Sequence, residues 1–148
     1  MKKKQNAALK VSIGFTAVFA LALTALTFTG PWTMKWLCEI TNNQLIEKFI
    51  LGITYLAIPA GWGAIIILFK LLININKGIV FDKRNTKMLN ILSWLCLYVG
   101  FLSGFATRWY IPFVVVSVSA LFIGLIVRVV RNIIGEAIII KDENDLTV

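Results

Sequence analysis

The sequence contains no histidine, and only 15% of its residues are charged. Soluble domains of this size usually have charge at about a quarter of their positions. Hydrophobic residues make up 59% of the chain, and the mean hydropathy is +0.85. The composition therefore excludes an ordinary soluble domain and favours a protein whose solvent is lipid.

The sequence also lacks the residue sets from which catalytic and metal sites are built. Without histidine, and with cysteines only at Cys38 and Cys96, neither a metal site nor a cysteine–histidine nucleophile is supported. The two cysteines lie at different depths, too far apart for a disulfide. No paired carboxylates occur in the apolar runs, so a proton relay is missing as well. We expect no catalytic residues, no metal and no cofactor, and hence no enzyme.

Four runs without a charged side chain occupy more than half of the chain: 11–34, 49–69, 88–107 and 109–127. About 20 helical residues cross a hydrocarbon core of about 30 Å. The runs are continuous rather than alternating, which argues against a barrel. We predict an all-α integral membrane four-helix bundle, a single domain over 1–148, with spans at about 11–32, 49–73, 85–107 and 110–134. A cleaved signal peptide is the alternative for the first run, which is longer than a usual signal core.

Charge predicts the orientation. Four spans place both termini on one side, and twelve of the fifteen Lys and Arg side chains lie there. Cytoplasmic loops carry such an excess, so we expect a multi-pass protein of a bacterial plasma membrane with both termini in the cytoplasm. Because topology accounts for the positive charge, we expect the lipid bilayer as a partner and no direct nucleic-acid binding.

The connections carry helix-end signals. Gly30-Pro31-Trp32 predicts the end of the first span, followed by an outer loop from about Lys35 to Lys48. On the inner side, Gly78 suits the left-handed position that closes the second helix. Asp82 suits the N-cap of the third helix. A metal-ligand role for Asp82 has no partner residues nearby.

The fourth helix is predicted to extend into the cytoplasm, because apolar residues recur at helical spacing beyond Val127. This amphipathic face suits the membrane surface, the inner loop or a partner helix. The cytoplasmic tail is predicted to comprise 135–148. Its acidic final segment, 141–148, is predicted to be mobile, or a short docking peptide. The candidate partner-binding face comprises Arg128, Arg131, Glu136, Asp142, Glu143 and Asp145.

Two features lie inside the spans. Gly100 and Gly104 have the spacing that lets helix backbones approach closely, which predicts contact within the bundle, with a homo-oligomer through span three as the alternative. Pro59 predicts a kink in the second span that frees a carbonyl near Thr54 or Tyr55. A polar cavity there would suit a small channel, a transporter or a peptide-toxin immunity protein.

The inner loop, 77–85, and the C-terminal segment, 141–148, together resemble the loop signature and terminal tag of a bacterial membrane family. This is the YoaS-like family, or domain of unknown function 2975 (DUF2975). The resemblance implies a plasma-membrane location, unknown activity and no assigned catalytic residues. It also implies a frequent gene pairing with a small helix-turn-helix regulator. The leading hypothesis is therefore a non-enzymatic regulatory or scaffold protein that binds such a regulator in the cytoplasm; the channel, transporter or immunity role is the alternative.

Overall fold

The computed structural model describes residues 2–41 and 44–146, and these form four α-helices. They are α1 (Lys2–Thr41), α2 (Gln44–Asn76), α3 (Lys83–Ala106) and α4 (Phe113–Leu146). Each contains a stretch that is long and apolar enough to cross a membrane: Leu9–Thr33, Lys48–Asn76, Lys83–Ala106 and Phe113–Asn144. The all-α prediction with four membrane-competent helices is confirmed.

The helix break predicted at Pro31 is wrong, because α1 continues through Pro31 to Thr41. The membrane-competent stretch nevertheless ends close to this proline, at Thr33. A proline inside a helix removes the hydrogen bond to the carbonyl four residues earlier, here that of Thr27. The Tyr55 hydroxyl of α2 donates to this carbonyl oxygen at 3.2 Å. In lipid, ending the helix at Pro31 would also leave several backbone groups without hydrogen bonds, which costs more than the one bond that the proline removes. Much of the predicted outer loop is consequently helical; Asn42 and Asn43 lie outside the described residues.

α2 is likewise one continuous helix across Pro59. The hydroxyl of Tyr98, on α3, donates to the carbonyl oxygen of Leu56 at 3.5 Å, in the turn that precedes this proline. Both prolines therefore lie just after a carbonyl that a tyrosine from the next helix contacts. The predicted kink stays a prediction.

The helices pack in chain order, α1 on α2, α2 on α3 and α3 on α4, with α3 and α4 packed most closely. Within the described part of the chain, α1 contacts no helix other than α2. The bundle is therefore open. Most large apolar side chains, including Phe28, Trp32 and Phe101, are exposed. Such a surface is suited to lipid rather than to water.

Small residues form the seam between α3 and α4. Ser93 donates from Oγ to the Gly124 carbonyl at 3.1 Å, and Ser117 donates from Oγ to the Gly100 carbonyl at 2.8 Å. A Cβ on Gly100 would lie 2.7 Å from the Leu121 side chain, and one on Gly104 would lie 3.0 Å from the Ser117 hydroxyl. Gly100 and Gly104 thus permit close contact inside the bundle, and a homo-oligomer through span three stays a prediction.

Candidate functional site

Most of the charged groups lie at one end of the bundle, where α1 begins, α2 ends, α3 begins and α4 ends. We call this the basic end. Its cationic side chains include Lys10, Lys70, Lys77, Lys83, Arg84, Lys87, Arg128, Arg131 and Lys141. The short connection between α2 and α3, residues 77–82, lies at its centre.

Gly78 ends α2 in a left-handed conformation, with φ of +74°. The amide of Ile79 donates to the Asn74 carbonyl at 2.9 Å, and the amide of Gly78 donates to the Ile75 carbonyl at 3.0 Å. This is the Schellman arrangement, which satisfies carbonyls at a helix end and favours glycine at the left-handed position. The glycine therefore directs the chain from α2 into the connection.

Asp82 is the N-cap of α3, in an extended conformation with φ of −132° and ψ of 138°. Its Oδ1 accepts a hydrogen bond from the Arg84 amide at 2.8 Å. This satisfies one of the amides left unpaired at the start of a helix. The carboxylate of Asp82 thus has a structural use in capping.

Asn85 holds the connection in place, and the sequence analysis missed it. Its side chain is 3% exposed. Its Oδ1 accepts from Asn74 Nδ2 at 2.7 Å, while its Nδ2 donates to the carbonyls of Ile79, at 2.7 Å, and Val80, at 3.1 Å. Asn85 therefore ties α2, the connection and α3 together. The only sequence signal is a pair of amides, Asn74 and Asn85, placed on either side of a short loop.

A cavity of about 340 Å³ lies between α2 and α3 at the basic end. Lys70 and Arg84 bring two cations to its wall from different helices. The rest of the lining consists of Ile73, Asn74, Ile79, Asp82 and Met88. This combination of cations and apolar side chains is suited to an amphiphilic anion.

α4 runs for 34 residues, roughly 50 Å at 1.5 Å per residue, so it is longer than a hydrocarbon core is thick. The predicted mobile tail is helical as far as Leu146. Ile138 is buried at 5% exposure, and Lys83 Nζ lies 3.3 Å from Asp142 Oδ2. Both ends of this ion pair are largely exposed, so it stabilises the contact by only about 0.2–1 kcal/mol. Burial of Ile138 is the larger effect.

The last turns of α4 leave an apolar stripe uncovered. Val129, Ile133 and Ile140 are 57%, 61% and 59% exposed. Their spacings of four and seven residues place them on one face of the helix. We call these three residues the α4 stripe. It consists of neutral side chains and lies among the charged residues that the sequence indicates as a partner-binding face.

The charged residues of that predicted face have several environments. Arg128 lies over the Trp94 ring, 5.0 Å from its centroid, and Arg131 Nη1 donates to Asn132 Oδ1 at 3.1 Å. Cation–π contact of this kind fixes a guanidinium against α3. The side chains of Glu136, Asp142 and Glu143 are exposed, whereas that of Asp145 lies outside the described residues. The anchored arginines and exposed acids therefore do not form one uniform surface.

A larger cavity, of about 700 Å³, lies between α1 and α2. Apart from Ser12 and Thr16 its lining is apolar or small, and neither Thr54 nor Tyr55 belongs to it. Thr54 Oγ1 instead donates to the Ile50 carbonyl at 2.9 Å. The hydroxyls that the sequence places near Pro59 are therefore used in hydrogen bonds and do not line this cavity.

The basic end has features by which proteins bind other molecules. Among the side chains that the structure describes, no three His, Cys, Asp or Glu residues lie close enough together to hold a metal ion. The basic end provides a preformed cationic cavity and an exposed apolar helix face. Both are features by which proteins recognise other molecules.

Comparison with known proteins places these features in a family. The model of a family described as "Protein of unknown function (DUF2975)" matches residues 7–148, nearly the entire chain. No curated protein and no solved structure matches the chain. The match over almost the full length shows that the chain belongs to the DUF2975 family.

Proposed function

We propose that this protein is a non-enzymatic membrane anchor whose basic end faces the cytoplasm and binds a small helix-turn-helix regulator. Binding would hold the regulator at the membrane and away from DNA. The membrane protein itself would not contact nucleic acid.

The α4 stripe is the observation that carries the proposal. An apolar face presented by a helix is the form that proteins bind in hydrophobic grooves. Glu136 and Lys141, both exposed, flank the stripe with charges of opposite sign, which suits a specific protein surface better than a uniformly charged one. The stripe therefore supports a protein partner.

The continuity of α4 supports a partner in the aqueous phase rather than contact with the bilayer surface. An amphipathic helix that lies on a membrane has to turn away from the preceding span. No proline and no break separates the stripe from the rest of α4. Continued along the direction of the span at 1.5 Å per residue, the helix carries Ile140 about 40 Å from Phe113, beyond a hydrocarbon core of about 30 Å, with Ile133 near its edge.

Charge and the family support the remaining parts of the proposal. The excess of Lys and Arg at the basic end is typical of a cytoplasmic side. The gene pairing that the family resemblance implies suggests the class of partner. Holding a regulator at the membrane requires only binding, so this role needs no catalytic residues in the membrane protein.

The experiment is affinity purification of the full-length protein from membranes in mild detergent, with bound proteins identified by mass spectrometry. Ile133→Ser combined with Ile140→Ser removes the exposed apolar surface without opening the interior. Ile111→Ser is the matched control, because Ile111 is also exposed but lies at the opposite end. We expect a helix-turn-helix protein with the wild type and the control, and its loss with the double variant. Equal recovery from all three, or no such protein from any, would contradict the proposal.

A further inference from the structure

We propose that the cavity between α2 and α3 at the basic end binds the headgroup of an anionic phospholipid. This site is separate from the α4 stripe, and the proposal goes beyond the binding of a regulator. Its ligand class is a phosphodiester with attached acyl chains.

The position of the cavity suits a headgroup. Its walls come from the last two turns of α2 and the first two turns of α3. The membrane-competent stretches of these helices end at Asn76 and begin at Lys83. The cavity thus lies at the margin of the apolar part of the molecule, where lipid phosphates are found.

The charge of the cavity suits a phosphate. Lys70 and Arg84 both line it, and no carboxylate of the described chain lies within 4.0 Å of either cation's charged nitrogens. Asp82 is the one acid in the wall, and it accepts the Arg84 amide at 2.8 Å. The lining therefore keeps a net positive charge, and this pair of cations, rather than the end of α3, carries the proposal. Basic pockets between membrane helices are known to bind lipid headgroups.

The apolar side chains of the site favour a lipid over free phosphate. Ile73, Ile79 and Met88 share the wall with the two cations. Ile79 and Phe81 are exposed on the connection, each two residues from a lysine, Lys77 and Lys83 respectively. A soluble ion makes no use of these surfaces, whereas the glycerol and first methylenes of a phospholipid bury them.

The cavity is also preformed. Asn85 forms hydrogen bonds with Asn74 and with two carbonyls of the connection. Gly78 and Asp82 fix the two ends of the connection. A ligand that enters a rigid site loses less free energy to ordering the protein. The site can therefore select one lipid class from a mixed bilayer.

The test is native mass spectrometry of the full-length protein, released from nanodiscs that contain equal amounts of dioleoyl phosphatidylglycerol and dioleoyl phosphatidylcholine. We expect preferential retention of phosphatidylglycerol. Lys70→Gln combined with Arg84→Gln should weaken retention by about 30-fold, since each surface cation contributes about a factor of five. Lys10→Gln combined with Lys141→Gln is the matched control, because it removes the same charge from the same end outside the cavity. This control should retain the lipid.

Equal retention of the two lipids, or unchanged phosphatidylglycerol retention in the Lys70/Arg84 variant, would overturn the proposal. Inorganic phosphate added in excess should not displace the lipid, and displacement would assign the cavity to a soluble anion instead. A photoactivatable phosphatidylglycerol on the wild-type protein gives a readout that does not depend on variant folding. Its adducts should map to residues 70–88, and adducts that map elsewhere would contradict the site.

Discussion

The side-chain amide of Asn85 ties the connection between α2 and α3 to both helices. It is buried and makes three hydrogen bonds, one to Asn74 and two to backbone carbonyls. A buried polar group that loses its hydrogen-bond partner lowers the free energy of unfolding by about 1–3 kcal/mol.

Asn85→Ala should therefore lower the free energy of unfolding by about 1–3 kcal/mol and speed hydrogen exchange at the amides of residues 77–82. Thermal unfolding in detergent and exchange mass spectrometry measure the two effects. Asn76→Ala is the control, because Asn76 is exposed at the end of α2, and it should leave both unchanged. Unchanged exchange in Asn85→Ala would show that the connection does not depend on this side chain.

Tyr55 compensates for the hydrogen bond that Pro31 removes from α1. Its hydroxyl lies 3.2 Å from the Thr27 carbonyl oxygen, the acceptor that Pro31 leaves free. Tyr55→Phe should destabilise the protein by about 0.6 kcal/mol, the average for hydrogen bonds between membrane helices, and by no more than about 1.7 kcal/mol. In a Pro31→Ala background the helix supplies its own donor, so the same substitution should cost almost nothing. A double-mutant cycle of unfolding free energies tests this, and an equal cost in both backgrounds would refute it.

At the scale of the helices, the α3–α4 seam is a reciprocal pair of serine-to-glycine hydrogen bonds. Ser93 and Gly100 are seven residues apart on α3, and Ser117 and Gly124 are seven apart on α4. Each serine bonds to the glycine carbonyl of the other helix. Small residues allow the close approach that these bonds need.

Gly100→Ala should separate α3 from α4, because the new Cβ would lie 2.7 Å from Leu121 side-chain atoms and 3.1 Å from its backbone nitrogen. We expect destabilisation of about 1–3 kcal/mol, typical of overpacking. Gly52→Ala is the matched control: nothing lies within 4 Å of its Cβ position, and alanine is the better helix former. Thermal unfolding in detergent should show a loss for Gly100→Ala and none for Gly52→Ala, and equal melting temperatures would contradict the seam.

The end of α4 depends on Ile138 rather than on the Lys83–Asp142 ion pair. Ile138→Ala removes a buried side chain, a change that costs about 2–5 kcal/mol in a core, and it should speed hydrogen exchange over residues 135–146. Ile139→Ala is its control, since Ile139 is next in sequence but exposed. Asp142→Asn should have little effect. A larger effect from Asp142→Asn than from Ile138→Ala would reverse this ranking.

The sequence predicts those features of the helices whose conformation depends only on residues nearby in sequence. Gly78 and Asp82 are recognisable as helix ends because their conformations and partners lie within a few residues. The continuation of α1 past Pro31 is not recognisable in this way, because the compensating donor is on α2. The Ser93–Gly124 and Ser117–Gly100 pairs require the register of α3 against α4. The burial of Ile138 likewise depends on how the end of α4 packs, so an acidic tail is predicted as mobile although it is helical.

At the scale of the molecule, the helices form an open row in which α1 contacts only α2 among the described residues. Few apolar side chains are buried inside the chain, so the bilayer supplies most of the apolar environment. Polar hydrogen bonds and small-residue seams then hold neighbouring helices together. The charged and ordered surfaces are concentrated at the basic end, which offers both a cavity for a lipid headgroup and a stripe for a protein.

The central claim is that the α4 stripe meets a protein in the cytoplasm. Photo-crosslinking in intact cells, with a photoreactive residue placed in turn at Ile133, Ile140, Phe101 and Val115, tests it most directly. All four positions are exposed and lie within membrane-competent stretches, but Phe101 and Val115 lie near the helix ends opposite to the basic end. We predict a discrete adduct with a cytoplasmic helix-turn-helix protein at Ile133 and Ile140, and none at the other two positions. No protein adduct at Ile133 and Ile140, or the same adducts at all four positions, would contradict the account.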